Sequence, residues 1–92
     1  MRLYAGLDVS LEKTSICVID QEGKIVQEIV AATNAEAIAD VLEHHRADLE
    51  RIGLEAAPMS EWLLRGLEER NFQAVQMETR QVHLALSASA VK

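Results

Sequence analysis

The chain has 92 residues, a formal net charge of −6 and a pI near 4.9, with 49% hydrophobic residues and a single cysteine. This length suits one small domain, and the acidic balance excludes a domain that holds nucleic acid by bulk electrostatics, although not a centre of metal-binding carboxylates. Cys17 cannot form an internal disulfide, which favours a reduced, cytoplasmic compartment. The sequence shows no signal-peptide pattern and no apolar run of the ~18 residues needed to span a membrane.

The first predicted element is a buried strand over residues 3–9 with one carboxylate near its end. Apolar residues at the odd positions share one face, which leaves Gly6 and Asp8 on the other. Gly6 removes a side chain two positions before Asp8, so a ligand can approach the backbone closely. A carboxylate in a central strand is costly unless it is paired or binds a metal. Asp8 is therefore a candidate metal or phosphate ligand, and the alternative is a cap on the following turn.

Two more strands follow, and short turns predict an antiparallel meander. They are Ser15–Asp20, which is rich in β-branched residues, and Lys24–Val30. The polar side chains of Gln27 and Glu28 predict that the third strand lies at an edge of the sheet. In the first turn, Ser10 either begins the turn or donates a hydrogen bond to a phosphate.

The hydrophobic pattern then changes from the period of a strand to that of a helix. Thr33 and Glu36 match a capping box, which predicts a helix with Thr33 as its N-cap. Apolar residues continue at helical spacing as far as Leu49. The adjacent His44 and His45 point in different directions on this helix, so we expect exposed or half-buried side chains rather than a metal pair.

The fourth predicted strand, Arg51–Ala56, repeats the pattern of the first. Gly53 precedes Glu55 by two residues, just as a glycine precedes Asp8 in the first strand. If the two strands lie side by side, their carboxylates meet at the carboxyl ends. The sequence therefore adds Glu55 to the candidate site.

The remaining residues predict a helix, a short strand and a final helix. The second helix begins at Pro58 or Ser60 and runs through Asn71, with Trp62 in the core or in an interface. The fifth strand is Phe72–Met77, and Thr79 caps a last helix that is apolar on several sides. Because such a helix normally packs on something, we expect it to contact a second copy of the chain. Glu78, Arg80 and His83 are weaker site candidates.

This order of elements predicts an α/β fold. Right-handed crossovers give a five-stranded mixed sheet with strand order 3-2-1-4-5 and helices on both faces. Asp8 and Glu55 then converge at the carboxyl edge, where open α/β sheets place their sites. Two facing carboxylates repel each other unless a cation lies between them, and hard oxygen ligands favour Mg²⁺ or Mn²⁺.

Three segments carry a family resemblance: Tyr4–Ser10, the strand Ser15–Asp20, and Gly53–Ala56. They resemble the N-terminal DEDD, RuvC-like domain of bacterial IS-one-ten family insertion-sequence transposases, which has the ribonuclease H-like fold. The stretch from Arg80 to Lys92 resembles the segment that precedes that family's last two acids. On this resemblance, residues 1–92 are the N-terminal part of a catalytic domain truncated at its C-terminus.

The resemblance implies DNA recombination: Mg²⁺-dependent cleavage and strand transfer of an insertion element, guided by a structured RNA. Asp8 and Glu55 match the first two acids of a four-carboxylate site, as catalytic and metal-binding residues. The implied partners are element and target DNA, the guide RNA and further copies of the chain. Because the other two acids lie beyond Lys92, we expect the 92-residue chain to be inactive.

The alternative is a lobe of a sugar kinase or actin-like ATPase. These proteins also begin with a strand, an Asp and a hairpin loop that binds nucleotide phosphate. Their loop usually has Gly or Thr where this chain has Ser10-Leu11-Glu12, and Glu12 would repel a phosphate. Stabilisation by ATP would favour this alternative.

Overall fold

The computed structural model describes residues 1–55 and 60–77. In chain order they form β1 (Leu3–Val9), β2 (Lys13–Asp20), β3 (Ile25–Ala32), α1 (Ala35–Glu43), β4 (Leu49–Glu55), α2 (Ser60–Glu69) and β5 (Ala74–Met77). This is the predicted order of elements, and the predicted last helix lies outside the described residues. Of the described helices, none is long and apolar enough to span a membrane.

The strands form one mixed sheet with the order β3-β2-β1-β4-β5, as predicted. The hairpin pairs β1–β2 and β2–β3 are antiparallel, whereas β1–β4 and β4–β5 are parallel. The helices α1 and α2 supply the crossovers that make parallel pairing possible. The prediction that the third strand lies at an edge is confirmed, and β1 lies at the centre.

A single apolar core covers one face of the sheet. The odd-numbered residues of β1 belong to it, together with Ile38 and Leu42 of α1 and Leu63 and Leu67 of α2. Both described helices therefore pack on the same face, whereas the sequence predicts helices on both faces. Asp8 lies on the opposite face of β1 and is exposed.

The start of α1 differs from the prediction. Its N-cap is Asn34, with extended backbone, and the Asn34 side chain accepts a hydrogen bond of 2.7 Å from the Ala37 amide. Thr33 and Asn34 are both favourable N-cap residues, and the chain uses the second. Thr33 is left to make other contacts, described below.

Leu49 also lies elsewhere than predicted, and for Trp62 the structure excludes the core, one of its two predicted locations. Leu49 begins β4 instead of extending the first helix, because turns occupy residues 44–48. Trp62 is 49% exposed, so it does not belong to the core. The buried stripe of α2 is provided by Leu63 and Leu67, both 0% exposed.

Candidate functional site

The register of the parallel pair β1–β4 places the two predicted carboxylates side by side. Gly6 pairs with Gly53, and Leu7 pairs with Leu54. Asp8 and Glu55 follow these last pairs at the carboxyl edge of the sheet. Asp8 is exposed, whereas Glu55 is half-buried and its Oε2 atom is buried. Each of the two carboxylates also has at least one polar or electrostatic partner.

A tight hairpin loop follows Asp8 and joins β1 to β2. The Ser10 amide donates a hydrogen bond of 3.0 Å to the carbonyl oxygen of Lys13. This bond identifies Ser10 as the residue that begins the turn. Leu11 and Glu12 form the tip of the loop and are exposed, with Leu11 at 78%.

Thr33 holds this loop from the link between β3 and α1. The Thr33 amide donates to the carbonyl oxygen of Glu12 at 3.0 Å, and its hydroxyl donates to the carbonyl oxygen of Ser10 at 2.7 Å. The hydroxyl oxygens of Thr33 and Thr14 are 2.9 Å apart. Thr14 is fully buried, at 0% exposure. A residue 23 positions away from Ser10 thus fixes the loop at two of its carbonyls.

Sequence reasoning assigned Thr33 to the helix cap and therefore missed this contact. A signal was present in hindsight: two successive N-cap residue types, Thr33 and Asn34, precede a single helix. Only one of them can cap it. The other is then available for a contact with a distant part of the chain, although the pattern does not say which.

The donor set at this edge suits a hard cation only in part. In residues 1–55 and 60–77, no group of three or more His, Cys, Asp or Glu is arranged to hold a metal ion. Asp8 and Glu55 supply carboxylate oxygens, which are the ligands that Mg²⁺ and Mn²⁺ prefer. Any remaining ligands would have to come from phosphate oxygens or water, a common arrangement for Mg²⁺ bound with phosphates.

The other candidate residues lie away from this edge or outside the described residues. His44 is exposed and His45 is half-buried, as predicted, and the His45 ring contacts the Gln27 side-chain oxygen at 2.7 Å. Cys17 is half-buried, and burial, followed by the charge of Glu28, raises the pKa of its thiol. Glu78, Arg80 and His83 lie outside the described residues.

Comparisons with known proteins identify the fold. No family model matches the sequence, and no curated protein matches it. Among solved structures, a ROK family glucokinase from Streptomyces griseus, crystallised with glucose and AMPPNP, matches with a TM-score of 0.52 and 24% identity. The match covers 83% of this chain and 33% of the glucokinase chain, so this chain spans about a third of that protein. At this identity the similarity shows a shared fold.

This finding overturns the transposase prediction. The matching structure is a sugar kinase in complex with glucose and a nucleotide analogue, and not with DNA or RNA. The expected DNA recombination, the element and target DNA and the guide RNA are therefore withdrawn. An Asp-bearing strand followed by a hairpin belongs to both enzyme classes, so those residues alone cannot separate them. The expected self-association depended on the last predicted helix, which lies outside the described residues.

Proposed function

We propose that this chain is part of a lobe of a sugar kinase or actin-like ATPase, and that it binds nucleotide phosphate through the loop after Asp8. The observation that carries the proposal is the position of that loop. It joins the central strand β1 to β2 at the carboxyl edge, beside Asp8, in a fold shared with a glucokinase that was crystallised with AMPPNP. Open α/β sheets bind their ligands at this edge.

The chemistry of the loop supports anion binding through its backbone. In the described residues, the amides of Leu11 and Glu12 donate no hydrogen bond to another group. Successive backbone amides in a turn form a concavity that attracts anions. Glu12 is exposed, so its side chain can lie in solvent while its amide faces a phosphate. The adjacent Lys13 is also exposed and adds a positive charge to this end of the sheet.

Asp8 and Glu55 fit a Mg²⁺ or Mn²⁺ ion that accompanies the nucleotide. Mg²⁺ is usually held in proteins by one or two carboxylates together with substrate phosphates, and neighbouring strand ends supply two carboxylates here. The bound ion would neutralise phosphate charge. In this proposal Asp8 and Glu55 hold the metal, and the loop amides orient the phosphate chain.

Two wider assignments belong to the same proposal. The sheet order and the two crossover helices are compatible with the ribonuclease H-like fold in its actin-like form. Residues 1–92 would then form one part of a larger catalytic domain, because the matched region is about a third of the glucokinase chain. The phosphate acceptor would be recognised largely by other parts of such a protein.

Titration calorimetry and thermal unfolding of the 92-residue chain with AMPPNP and Mg²⁺ test the proposal. A ligand at ten times its Kd raises the free energy of unfolding by about 1.4 kcal/mol, which gives a measurable shift in Tm. Adenosine is the matched control, since it shares the base and ribose but has no phosphate. Stabilisation by MgAMPPNP and not by adenosine is the expected result. No binding of MgAMPPNP up to millimolar concentrations would contradict the proposal.

A further inference from the structure

Three oxygen atoms form a directed chain of hydrogen bonds beneath the hairpin loop. The carbonyl oxygen of Ser10 can only accept a hydrogen bond, so the Thr33 hydroxyl donates its only proton to the 2.7 Å bond between them. The 2.9 Å contact between the two threonine hydroxyls must then be donated by Thr14. The direction of the chain is therefore fixed as Thr14 to Thr33 to Ser10.

This chain of bonds determines where the loop amides point. In a trans peptide, the carbonyl oxygen and the next residue's N–H lie on opposite sides of the peptide plane. Because Thr33 draws the Ser10 carbonyl towards itself, the Leu11 N–H points to the other side of the loop. The bond from the Thr33 amide to the Glu12 carbonyl, at 3.0 Å, acts in the same way on the peptide between Glu12 and Lys13.

Both anchors of Thr33 are rigid. Thr14 belongs to β2 and is fully buried. On its other side, Thr33 is followed by Asn34, which caps α1 through its 2.7 Å bond with the Ala37 amide. The hydrogen bonds of Thr33 to Ser10, Glu12 and Thr14, here called the loop clamp, therefore connect an exposed loop tip to the core strand and to the first turn of a helix.

We propose that Thr33 is a positioning residue, which acts with Thr14 to hold the peptides on either side of the Leu11–Glu12 peptide, and thereby the Leu11 and Glu12 amides, in the orientation that receives a nucleotide phosphate. This inference rests on the proposed phosphate-binding function of the loop. Thr33 does not touch the phosphate; it acts through the Ser10 and Glu12 carbonyls. The loop is thereby organised before the nucleotide arrives, and less ordering is needed on binding.

Four variants separate positioning from simple stability. Thr33→Val keeps the β-branched shape and the backbone amide but removes the hydroxyl, and Thr33→Ser keeps the hydroxyl. The double variant Thr14→Val/Thr33→Val also removes the buried hydroxyl that Thr33→Val leaves without an acceptor, so its stability should recover in part. Asn34→Ala is the matched control, because it weakens the same link at the helix cap and leaves the loop contacts in place.

Two measurements are made on each variant. The first is the affinity for MgAMPPNP by titration calorimetry. The second is the backbone order of the Leu11 and Glu12 amides by ¹⁵N relaxation, which needs no ligand. We expect Thr33→Val to lower the affinity about tenfold, the loss of one well-placed hydrogen bond, and to reduce amide order at the loop tip.

The remaining variants complete the expected pattern. Thr33→Ser should retain nearly the wild-type affinity and loop order. The double valine variant should regain Tm but not affinity or order, and Asn34→Ala should lose Tm with both other properties unchanged. A Thr33→Val protein with wild-type affinity and wild-type loop order would overturn the inference.

Failure of the proposed function gives a different result. If the wild-type chain binds no MgAMPPNP, the phosphate-binding proposal fails whatever Thr33 does. The relaxation measurement still decides the positioning role. Lower order at Leu11 and Glu12 in Thr33→Val, with normal order in Asn34→Ala, would support Thr33 as the clamp of the loop, and unchanged order would overturn it.

Discussion

Gly66 of α2 lies directly against Ala35, the first residue of α1. A Cβ atom added to Gly66 would lie 2.5 Å from the Ala35 Cβ, well inside van der Waals contact. The two helices can approach this closely only because one has glycine where they cross. This contact sets the spacing of the two crossover connections that bring β4 beside β1 and β5 beside β4.

We expect Gly66→Ala to destabilise the protein although it sits inside a helix. Alanine is favoured over glycine in a helix interior by about 0.8–1.0 kcal/mol, but overpacking a rigid contact costs about 1–3 kcal/mol. The Ala35 methyl is a rigid neighbour and cannot rotate away, so the cost of overpacking should exceed the gain in helix propensity. We expect a net loss of about 1 kcal/mol in the free energy of unfolding. Chemical denaturation of the two proteins measures the difference.

A double-mutant cycle identifies the clash as the cause. Ala35→Gly alone should cost about 0.5–1 kcal/mol as a glycine in a helix. It also removes the methyl that Gly66→Ala would meet, so the double variant should be more stable than the sum of the single changes predicts. Additive effects would show that the helices move apart freely.

The C-terminus of α2 allows a stabilising change at Asn71. The Phe72 amide donates to the Leu67 carbonyl and the Asn71 amide to the Glu68 carbonyl, each at 2.9 Å, which is a Schellman motif. Asn71 has a φ of 66°, in the left-handed region that glycine adopts without strain. We expect Asn71→Gly to raise the free energy of unfolding by up to about 1 kcal/mol and Asn71→Ala to lower it by about 1 kcal/mol. Denaturant titrations of both variants test the two signs.

Arg46 joins the ends of both helices. Its guanidinium makes two 2.8 Å bonds to Glu43, donates to the carbonyls of Arg70 and Asn71 at 2.9 and 3.2 Å, and lies 3.9 Å from the centre of the Phe72 ring. Arg46→Lys keeps the charge but cannot reproduce this planar set of contacts. We expect Arg46→Lys to lower Tm nearly as much as Arg46→Ala. A Tm close to wild type for the lysine variant would show that charge alone matters.

The same contact makes stability depend on pH through Glu43. The hydrogen bond from Arg46 is the main cause that holds the pKa of Glu43 below its ordinary value. A carboxyl with a lowered folded-state pKa contributes stability above its unfolded pKa and loses it as pH falls through the folded pKa. Glu43→Gln should therefore lower Tm at pH 7, and the loss should shrink as pH falls through the folded-state pKa and the Glu43 carboxyl takes up its proton. An equal Tm loss at every pH would contradict this.

The strand order could be predicted because local patterns determine it. Alternating apolar residues identify β1, and short turns force antiparallel neighbours. Helical crossovers then require parallel pairing, which places Asp8 and Glu55 at one edge. Each step depends on residues close together in the sequence.

The loop clamp and the functional class could not be predicted for a different reason. The bond from Thr33 to Ser10 joins residues 23 positions apart, and no local pattern indicates it. The capping preference of Thr33 even suggested another role. The functional class could not be predicted because an Asp at a strand end before a hairpin suits phosphate chemistry in general. The motif therefore does not distinguish a protein that acts on DNA from one that binds a nucleotide.

Cys17 gives a prediction about reactivity. It pairs with Glu28 across β2 and β3, and burial followed by the charge of Glu28 raises the pKa of the thiol. Since the thiolate is the reactive form, Cys17 should react slowly with iodoacetamide at pH 7.5. Glu28→Gln removes the charge and should accelerate the reaction, whereas Glu22→Gln, in an exposed turn, should not. Equal rates in all three proteins would mean that access alone limits the thiol.

The role of the two carboxylates at the sheet edge is tested by measuring how much the metal ion increases nucleotide affinity. With the wild-type chain, Mg²⁺ should tighten AMPPNP binding, and Asp8→Asn or Glu55→Gln should remove about tenfold of that gain, equal to ~1.4 kcal/mol. Glu50→Gln is the matched control, because Glu50 is an exposed acid at the other end of β4. Calorimetry with Mg²⁺ and with EDTA directly gives the metal-dependent part of the AMPPNP binding free energy.

If Asp8 is only a turn cap, its replacement should instead cost about 0.5–2 kcal/mol of stability and leave metal-dependent binding intact. That result would remove Asp8 from the proposed site while leaving the loop amides as its phosphate-binding element.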